Sequence, residues 1–410
     1  MITIMIRKNR FKILTPIFLI LLSLAGCTEE IDVEDEFNFE DVIVIEATLT
    51  NEKKIHQILI SRSFRFDDEE ARAETNAQVQ VIANESETIA FTEQTPGVYE
   101  SSQEFAAEAG VNYQLFVSTN DGKNYQSPPV QLAPETQIDD VYASREVNSI
   151  GNDIMSIFVD SFDPSRSSNY YRYEYEETYK IIAPDWTRED FLILQDGEGN
   201  DLPVPGFTTR PIEEQTCYNT VLSNSIIQTS TTNLTEDRVA KFSVRNIASD
   251  DPIISHRYSI LVKQFVQSQE AFSYYDILNQ LSGSNGALNQ IQPGFISSNI
   301  RSTEDRNEKV LGFFQVSSMT EKRIFFNYED FYPGEPLPPY FTECGRSAPP
   351  ISVGVPPRFP LLESIQGGLV KYLTENLNAG SMEGPYIVVP TPCGDCTVLG
   401  TSEEPDFWED

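Results

Sequence analysis

From Val42 onward the chain alternates apolar and polar residues with a period of two. Ile58 and Ile60, then Val79, Val81 and Ala83, then Tyr113, Leu115 and Val117 are each separated by outward-facing positions, the period of a half-buried strand. Turn chemistry separates these runs at Asn51-Glu52, Asn84-Glu85, Pro96-Gly97 and Asp121-Gly122. The Asp-Gly pair lies between Tyr113–Thr119 and Lys123–Gln126 and predicts a hairpin there. No segment of useful length with helical period appears before residue 135. The acidic stretch Phe64 to Glu74 predicts a solvated loop. Ser127-Pro128-Pro129 and Ala133-Pro134 end strand pairing and place a stiff linker at 133–138.

The pattern predicts a mostly β protein. An immunoglobulin-like or transthyretin-like β-sandwich over residues 41–135 is followed by a larger β-rich domain, 138–410, carrying one amphipathic helix. In the second domain Tyr171, Tyr173 and Tyr175 alternate with Arg172, Glu174 and Glu176, giving one aromatic and one charged face. Further strands are predicted at Ile154 to Val159, Val239 to Val244, Tyr258 to Gln264, Leu311 to Ser317 and Arg323 to Tyr328. The helix spans Ser268 to Leu281: Ser268 caps it, Ala271, Tyr274, Tyr275, Leu278 and Leu281 recur at helical spacing, and Ser282-Gly283 stops it. It is predicted to pack on a sheet. Residues 183–216 and 345–392 are rich in Pro and Gly with little periodicity. They predict long ordered loops or insertions, segments that often carry function.

The amino terminus has a different pattern. Basic residues Arg7, Lys8, Arg10 and Lys12 lead into the apolar run Ile13 to Leu24 and then Ala25-Gly26-Cys27. This predicts a secretory signal over 1–26 cleaved between Gly26 and Cys27, since residues 13–26 are shorter than the roughly 20 needed to span a bilayer. Leu24-Ala25-Gly26-Cys27 resembles the bacterial lipobox, which implies a lipid on Cys27. Residues 27–40, with Glu29, Glu30, Asp32, Glu34, Asp35 and Glu36, form an acidic tether. They resemble the export tag of surface lipoproteins of the Bacteroidota. The expected location is the outer membrane, lipid-anchored and facing outward.

Charge and composition narrow the partners. The formal net charge is −34, and the signal removes four basic residues and no acidic one. Such a surface repels nucleic acid and bare anionic lipid, leaving divalent cations and cationic protein patches as electrostatic partners, or simply a solubilising coat. With 40% hydrophobic and 11% aromatic residues the chain can build sizeable cores.

The candidate chemistry is sparse. Beyond Cys27 stand Cys217, Cys344, Cys393 and Cys396, an even number that predicts two disulfides with three possible connectivities. A redox role for Cys393-Gly-Asp-Cys396 lacks the βαβ setting of such sites, and a four-thiolate zinc site needs a second close pair. Structural bridges are therefore expected, with Cys393 and Cys396 bonding outward to Cys217 and Cys344 and pinning the tail. His56 and His256 have neither a Gly-x-Ser-x-Gly elbow nor a His-Glu-x-x-His helix beside them. The 63 acidic residues satisfy the two-carboxylate requirement of a glycosidase without selecting any pair. Asp196-Gly-Glu-Gly-Asn-Asp201 alternates oxygen donors with glycine but lacks the full calcium-loop pattern, so an ordinary turn is expected. No catalytic residue, metal ligand or cofactor is predicted. Trp186, Tyr332, Tyr340, Phe341 and Phe359 lie among prolines and are candidate binding aromatics, the alternative being that they cover a core edge. Trp408 is expected to dock the tail.

The order of short motifs resembles a family of Bacteroidota lipoproteins known as "domain of unknown function 4249". The motifs are Cys27-Thr-Glu-Glu-Ile-Asp, Pro96-Gly-Val-Tyr99, Asp121-Gly-Lys-Asn-Tyr125, Asp163-Pro164 leading to Asn169-Tyr-Tyr-Arg172, Glu270-Ala-Phe-Ser-Tyr-Tyr275, Asn299-Ile300 leading to Leu311-Gly-Phe-Phe-Gln-Val316, Cys393-Gly-Asp-Cys396 and Pro405-Asp-Phe-Trp408. The resemblance covers nearly the whole mature chain and implies a lipoprotein found beside TonB-dependent receptors. The expected function is a non-catalytic surface lipoprotein, an accessory or ligand-capturing subunit of an outer-membrane transport or secretion assembly with a β-barrel partner. The alternative is a stand-alone adhesin or glycan-binding lipoprotein; a hydrolase ranks third.

Overall fold

The computed structural model describes residues 41–64, 71–195, 203–210, 212–283, 296 and 298–409. The signal, the Gly26–Cys27 junction, the acidic tether and the Asp196–Asp201 turn lie outside the described residues.

The predicted alternation becomes β1 (Ile43–Thr50), β2 (Gln57–Arg62), β3 (Arg72–Ala73), β4 (Gln78–Ala83), β5 (Glu87–Thr95), β6 (Val98–Ser101), β7 (Asn112–Ser118), β8 (Asn124–Gln126) and β9 (Val130–Gln131). Every inward residue named from the pattern is buried, from Ile58 and Ile60 to Leu115 and Val117. The Asp121-Gly122 turn joins β7 to β8, with Ser118 opposite Asn124. The short β3, paired with β2, falls within the stretch predicted as a solvated loop. Strands β1-β2-β6-β5-β4-β7-β8 are hydrogen-bonded in one run. Both ends of that run deliver side chains, such as Ile45 and Leu115, to one core, so the run folds over on itself.

The second unit holds β10 (Ile138–Val147), β11 (Asp153–Asp163), β12 (Tyr170–Ile182), β13 (Glu189–Gln195), β14 (Pro203–Thr209), β15 (Thr216–Leu222), β16 (Ile227–Ser230), β17 (Asp237–Ala248), β18 (Arg257–Val266), helix α1 (Gln269–Gly283), β19 (Arg301–Ser302), β20 (Val310–Asn327), helix α2 (Pro360–Gln366), β21 (Val370–Glu375) and β22 (Tyr386–Pro390). The three-stranded sheet β10-β11-β17 faces the sheet run β15-β12-β18-β20. Between them lies a core of Met155, Ile157, Tyr171, Tyr173, Tyr258 and Ile260. The aromatic face read from the alternating tyrosines points into this core. Helix α1 covers β20, with Ala271 and Tyr274 packed on Phe313, and Ser268 Oγ accepts the Ala271 N–H at 3.1 Å.

The two strands predicted at 311–317 and 323–328 are one 18-residue strand, β20. Its first part pairs in parallel with β1, ending with Thr50 opposite Ser317. Its second part pairs antiparallel with β18, beginning with Val266 opposite Ser318. The strand therefore changes partner between two consecutive residues. The run Ser317 to Lys322, polar but for Met319, hid this continuity, because period-two alternation lapses where a strand passes from one core to the other. The first core is completed by Ile300, Val310, Phe314 and Val316, residues that the boundary at 135–138 assigns to the second unit. The linker is strapped to the same strand: the Ala133 N–H reaches Val316 O at 3.3 Å, Ser318 Oγ donates to Pro134 O at 2.8 Å and Thr320 Oγ1 to Thr136 O at 3.0 Å.

The stretches 183–216 and 345–392, predicted as loops or insertions, each contribute a hairpin, β13–β14 and β21–β22. Phe207 faces Tyr372 at 4.8 Å and Tyr386 at 5.3 Å between ring centres, so the two pack together around an aromatic cluster of their own. Cys217 is bonded to Cys396 and Cys344 to Cys393; the close pair does bond outward. Trp408 packs against Tyr218 and Phe325, docking the tail.

Candidate functional site

A cleft of about 640 Å³ opens where β20 changes partner. Four segments frame it: Pro128 to Pro134 leaving the first unit, Ser167 to Tyr170 leading into β12, Gln267 to Glu270 leading from β18 into α1, and Phe313 to Val316 of β20, with Asn299 beside them. Its volume is that of a small-molecule site.

Two buried carboxylates behind the lining hold one wall in place. Asp163 accepts the backbone N–H groups of Ser165, Ser167 and Ser168 at 2.8, 2.9 and 3.1 Å and the hydroxyls of Ser165 and Ser167 at 2.6 and 3.0 Å. Burial alone would raise the Asp163 carboxyl, but these donors outweigh it and hold the group well below the usual carboxylate range. Asp237, 1% exposed, takes the Asn169 N–H at 3.1 Å and the Tyr171 hydroxyl at 2.9 Å. The turn carrying Ser167, Ser168 and Asn169 is thus held by charge-assisted hydrogen bonds, and Ser168 Oγ meets Thr136 Oγ1 at 2.7 Å.

The floor is made of carboxamides, most of them fully used. Asn299 bonds both backbone groups of Phe314, donating at 2.7 Å and accepting at 2.9 Å. Gln315 donates to Thr48 Oγ1 at 3.0 Å. Gln264, just behind, accepts from the Tyr173 hydroxyl at 3.1 Å and donates to Thr136 O at 3.0 Å. Gln267 differs. It is 3% exposed, and among the described residues neither its Oε1 nor its Nε2 has a hydrogen-bond partner. Buried polar side chains are nearly always paired, so an amide unpaired at both ends is an exception with a cause to be found. Flat faces complete the cleft: Pro128, Pro129, Pro134 and Tyr170, whose ring is steadied by Phe272 at 5.1 Å. Among the described residues Glu270 is the one charged lining residue.

The second concentration of polar groups is a charge network beside the disulfides. Lys371 Nζ bridges Asp190 at 2.6 Å and Asp395 at 2.9 Å, while Arg210, 6% exposed, donates to Thr187 O at 2.9 Å and lies within 4 Å of Asp190, Glu214 and Asp395. Burial pushes the Glu214 carboxyl up, with Asp395 adding to the effect. Here is the clustered set of carboxylates that a hydrolase would need, but two cations occupy it. The neighbouring recess is lined by Thr187, Arg188, Glu189, Thr209, Tyr372 and Leu373; Thr187 touches the network through the carbonyl that Arg210 holds, and none of the network's carboxylates lines the recess. The network joins the two hairpins to the tail.

The candidate binding aromatics are mostly spent on packing. Tyr332 is 1% exposed and stacks on Tyr328 at 4.6 Å. Tyr340 donates to Pro392 O at 2.9 Å, Phe341 stacks on Tyr179 at 6.0 Å, and both pack against the main core together with Trp186. Their prolines mark tight passages over that core, which is why the composition suggested exposed loops. Phe359 alone stays half-buried outside it. His56 is buried, its Nε2 3.0 Å from Phe105 O; burial lowers its pKa.

The residues that form the cleft were not singled out chemically from the sequence, because each is an ordinary Gln, Asn, Ser or Pro. One signal did point to them. The motifs Asn169-Tyr-Tyr-Arg172, Glu270 to Tyr275, Asn299-Ile300 and Leu311 to Val316, far apart along the chain, converge on this cleft. No curated protein matches the chain. A family model described as "Domain of unknown function (DUF4249)" matches residues 28–323, a span that includes every segment framing the cleft, and the chain belongs to that family.

Proposed function

We propose that this chain is a non-catalytic lipoprotein of the outer membrane, anchored through Cys27, that captures a ligand as the accessory subunit of a β-barrel partner. The observation that carries this reading is the seam cleft, with rigid walls, a mostly neutral polar lining and an unpaired buried amide at its floor. A lipid at Cys27 and a short acidic tether confine the cleft to the membrane plane, where a modest affinity gains from high effective concentration. Among the described residues no helix is long and apolar enough to cross a membrane, which fits attachment by the amino terminus. Docking beside a partner, as opposed to a stand-alone adhesin, is favoured by the apolar side chains on the paired hairpins and the adjacent loop. Leu192 and Leu194 on β13, and Val353, Val355, Leu377 and Met382 on the stretch 345–392, are all exposed, and apolar side chains left facing solvent are the kind an interface covers.

The test is made in the native membrane. A clickable fatty acid should label the wild-type chain and leave Cys27→Ala unlabelled, and protease added to whole cells should cleave the wild type. Gentle solubilisation should recover a β-barrel protein with the chain. Repeated recovery of the lipoprotein alone would remove the accessory role, and an unlabelled wild type would remove the anchor.

A further inference from the structure

We propose that the seam cleft takes a neutral, hydroxyl-rich ligand of the saccharide class, and that the Gln267 carboxamide is its buried hydrogen-bonding partner. The inference rests on the ligand-capturing reading and specifies what is captured.

Gln267 presents one acceptor and one donor group, both buried and both without a partner among the described residues. Its backbone N–H is already bonded to Tyr170 O at 2.9 Å, so the residue is held in place and only the side chain is unspent. A carboxylate or a fully ionised phosphate can only accept, and an ammonium can only donate; neither satisfies both ends of an amide. A hydroxyl does both, and a pair of neighbouring hydroxyls matches an amide edge. Among the described residues the lining contains no Lys or Arg, and its one charge is the Glu270 carboxylate. With a formal net charge of −34 on the chain, an anionic ligand meets repulsion and no counter-charge. The proline and tyrosine faces supply the flat apolar surface that the C–H face of a sugar ring covers, as aromatic rings do at mixed polar and apolar contacts.

A neutral peptide would also offer donors and acceptors, but peptides seated against a strand use its free edge. The edge of β20 turned away from β1 is closed along the cleft. Gly312 N–H is bonded to the Tyr274 hydroxyl at 3.0 Å, Phe314 N–H and C=O are both taken by Asn299, and Val316 C=O is taken by Ala133. A strand added there would have to displace these partners. The hydrogen-bonding capacity left at the floor belongs to a side chain, which suits recognition of hydroxyls.

The test uses the full-length chain in detergent micelles. Calorimetric titration is carried out with neutral oligosaccharides (trimers of α- and β-linked glucose, mannose, galactose, xylose and N-acetylglucosamine), with tetra-alanine amide and with a galacturonic acid trimer. At least one neutral sugar should bind, and Gln267→Leu should weaken it on the order of 10- to 100-fold without lowering the melting temperature, because the substitution removes an unsatisfied amide. Gln267→Asn, which keeps the amide on a shorter stem, should retain part of the affinity. Neutral sugar binding that is unchanged in Gln267→Leu overturns the role of Gln267. Binding of the peptide or the acidic sugar alone overturns the ligand class and leaves capture standing. Recovery of a β-barrel partner with a chain that binds no sugar does the same, whereas failure of both binding and co-purification removes the two readings together.

Discussion

The side-chain carbonyl of Asn51 accepts the backbone N–H of Met319 at 2.7 Å. Strand β1 ends at Thr50, opposite Ser317, so Asn51 continues by side chain the pairing that β1 can no longer supply by backbone. Met319 is buried, and its N–H would otherwise sit without an acceptor at the point where β20 passes between units. Asn51→Ala is expected to destabilise the protein by about 1–3 kcal/mol, the cost of an unsatisfied buried donor. Hydrogen exchange should locate the effect: amides of residues 316–320 should exchange faster in the variant, with those of β4 and β7 unchanged. Uniform acceleration across the first unit would contradict a local role at the seam.

Gly312 is the residue of β20 that the β1 pairing tolerates least in changed form. Its φ is +88°, and an added Cβ would lie 2.0 Å from Ile45 O. Conformation and space both exclude a side chain, so Gly312→Ala should cost more than about 4 kcal/mol, in the range reserved for single changes with a specific steric cause. A thermal melt within a few degrees of wild type would show that β1 and β20 separate here at little cost.

The two disulfides close loops of different length, with sequence separations of 179 for Cys217–Cys396 and 49 for Cys344–Cys393. Removing either by paired Cys→Ser substitution should cost about 2–5 kcal/mol, and the chain-entropy account makes loss of Cys217–Cys396 the more costly by roughly 1 kcal/mol. Urea midpoints of the two double variants give the order. The reverse order would place the dominant stabilisation in the packing of the Cys344–Cys393 loop.

Acid should loosen the wall of the cleft. The folded-state pKa of Asp163 is depressed because hydrogen bonds from the serine turn outweigh burial. Its contribution is therefore complete above the unfolded-state value, about 4, and is lost as pH falls through the lower folded-state value. Asp163→Asn should be less stable than wild type at neutral pH, and the gap should narrow steadily below about pH 4. A gap independent of pH down to the onset of acid unfolding would assign the loss to geometry alone.

Much of the fold was legible in the residues. Alternation placed Ile58, Val81 and Leu115 inside, Asp121-Gly122 marked a hairpin, Ser268 marked the start of a helix, and four cysteines implied two bridges. Each of these follows from local rules, since strand period, turn chemistry and helix caps depend on neighbours a few positions away. The tertiary structure alone decided the rest. It joined 310–327 into one strand shared by two cores, paired two apparent loops into one aromatic cluster, and buried Tyr332 and packed Phe341 where exposure was one expectation. It also left Gln267 without a partner while Gln264, three residues earlier, found two. Nothing local separates those two glutamines. Whether a buried amide is satisfied depends on which distant segments arrive beside it, and for Gln264 they are Thr136 and Tyr173, while for Gln267 none of the described residues comes within hydrogen-bonding reach.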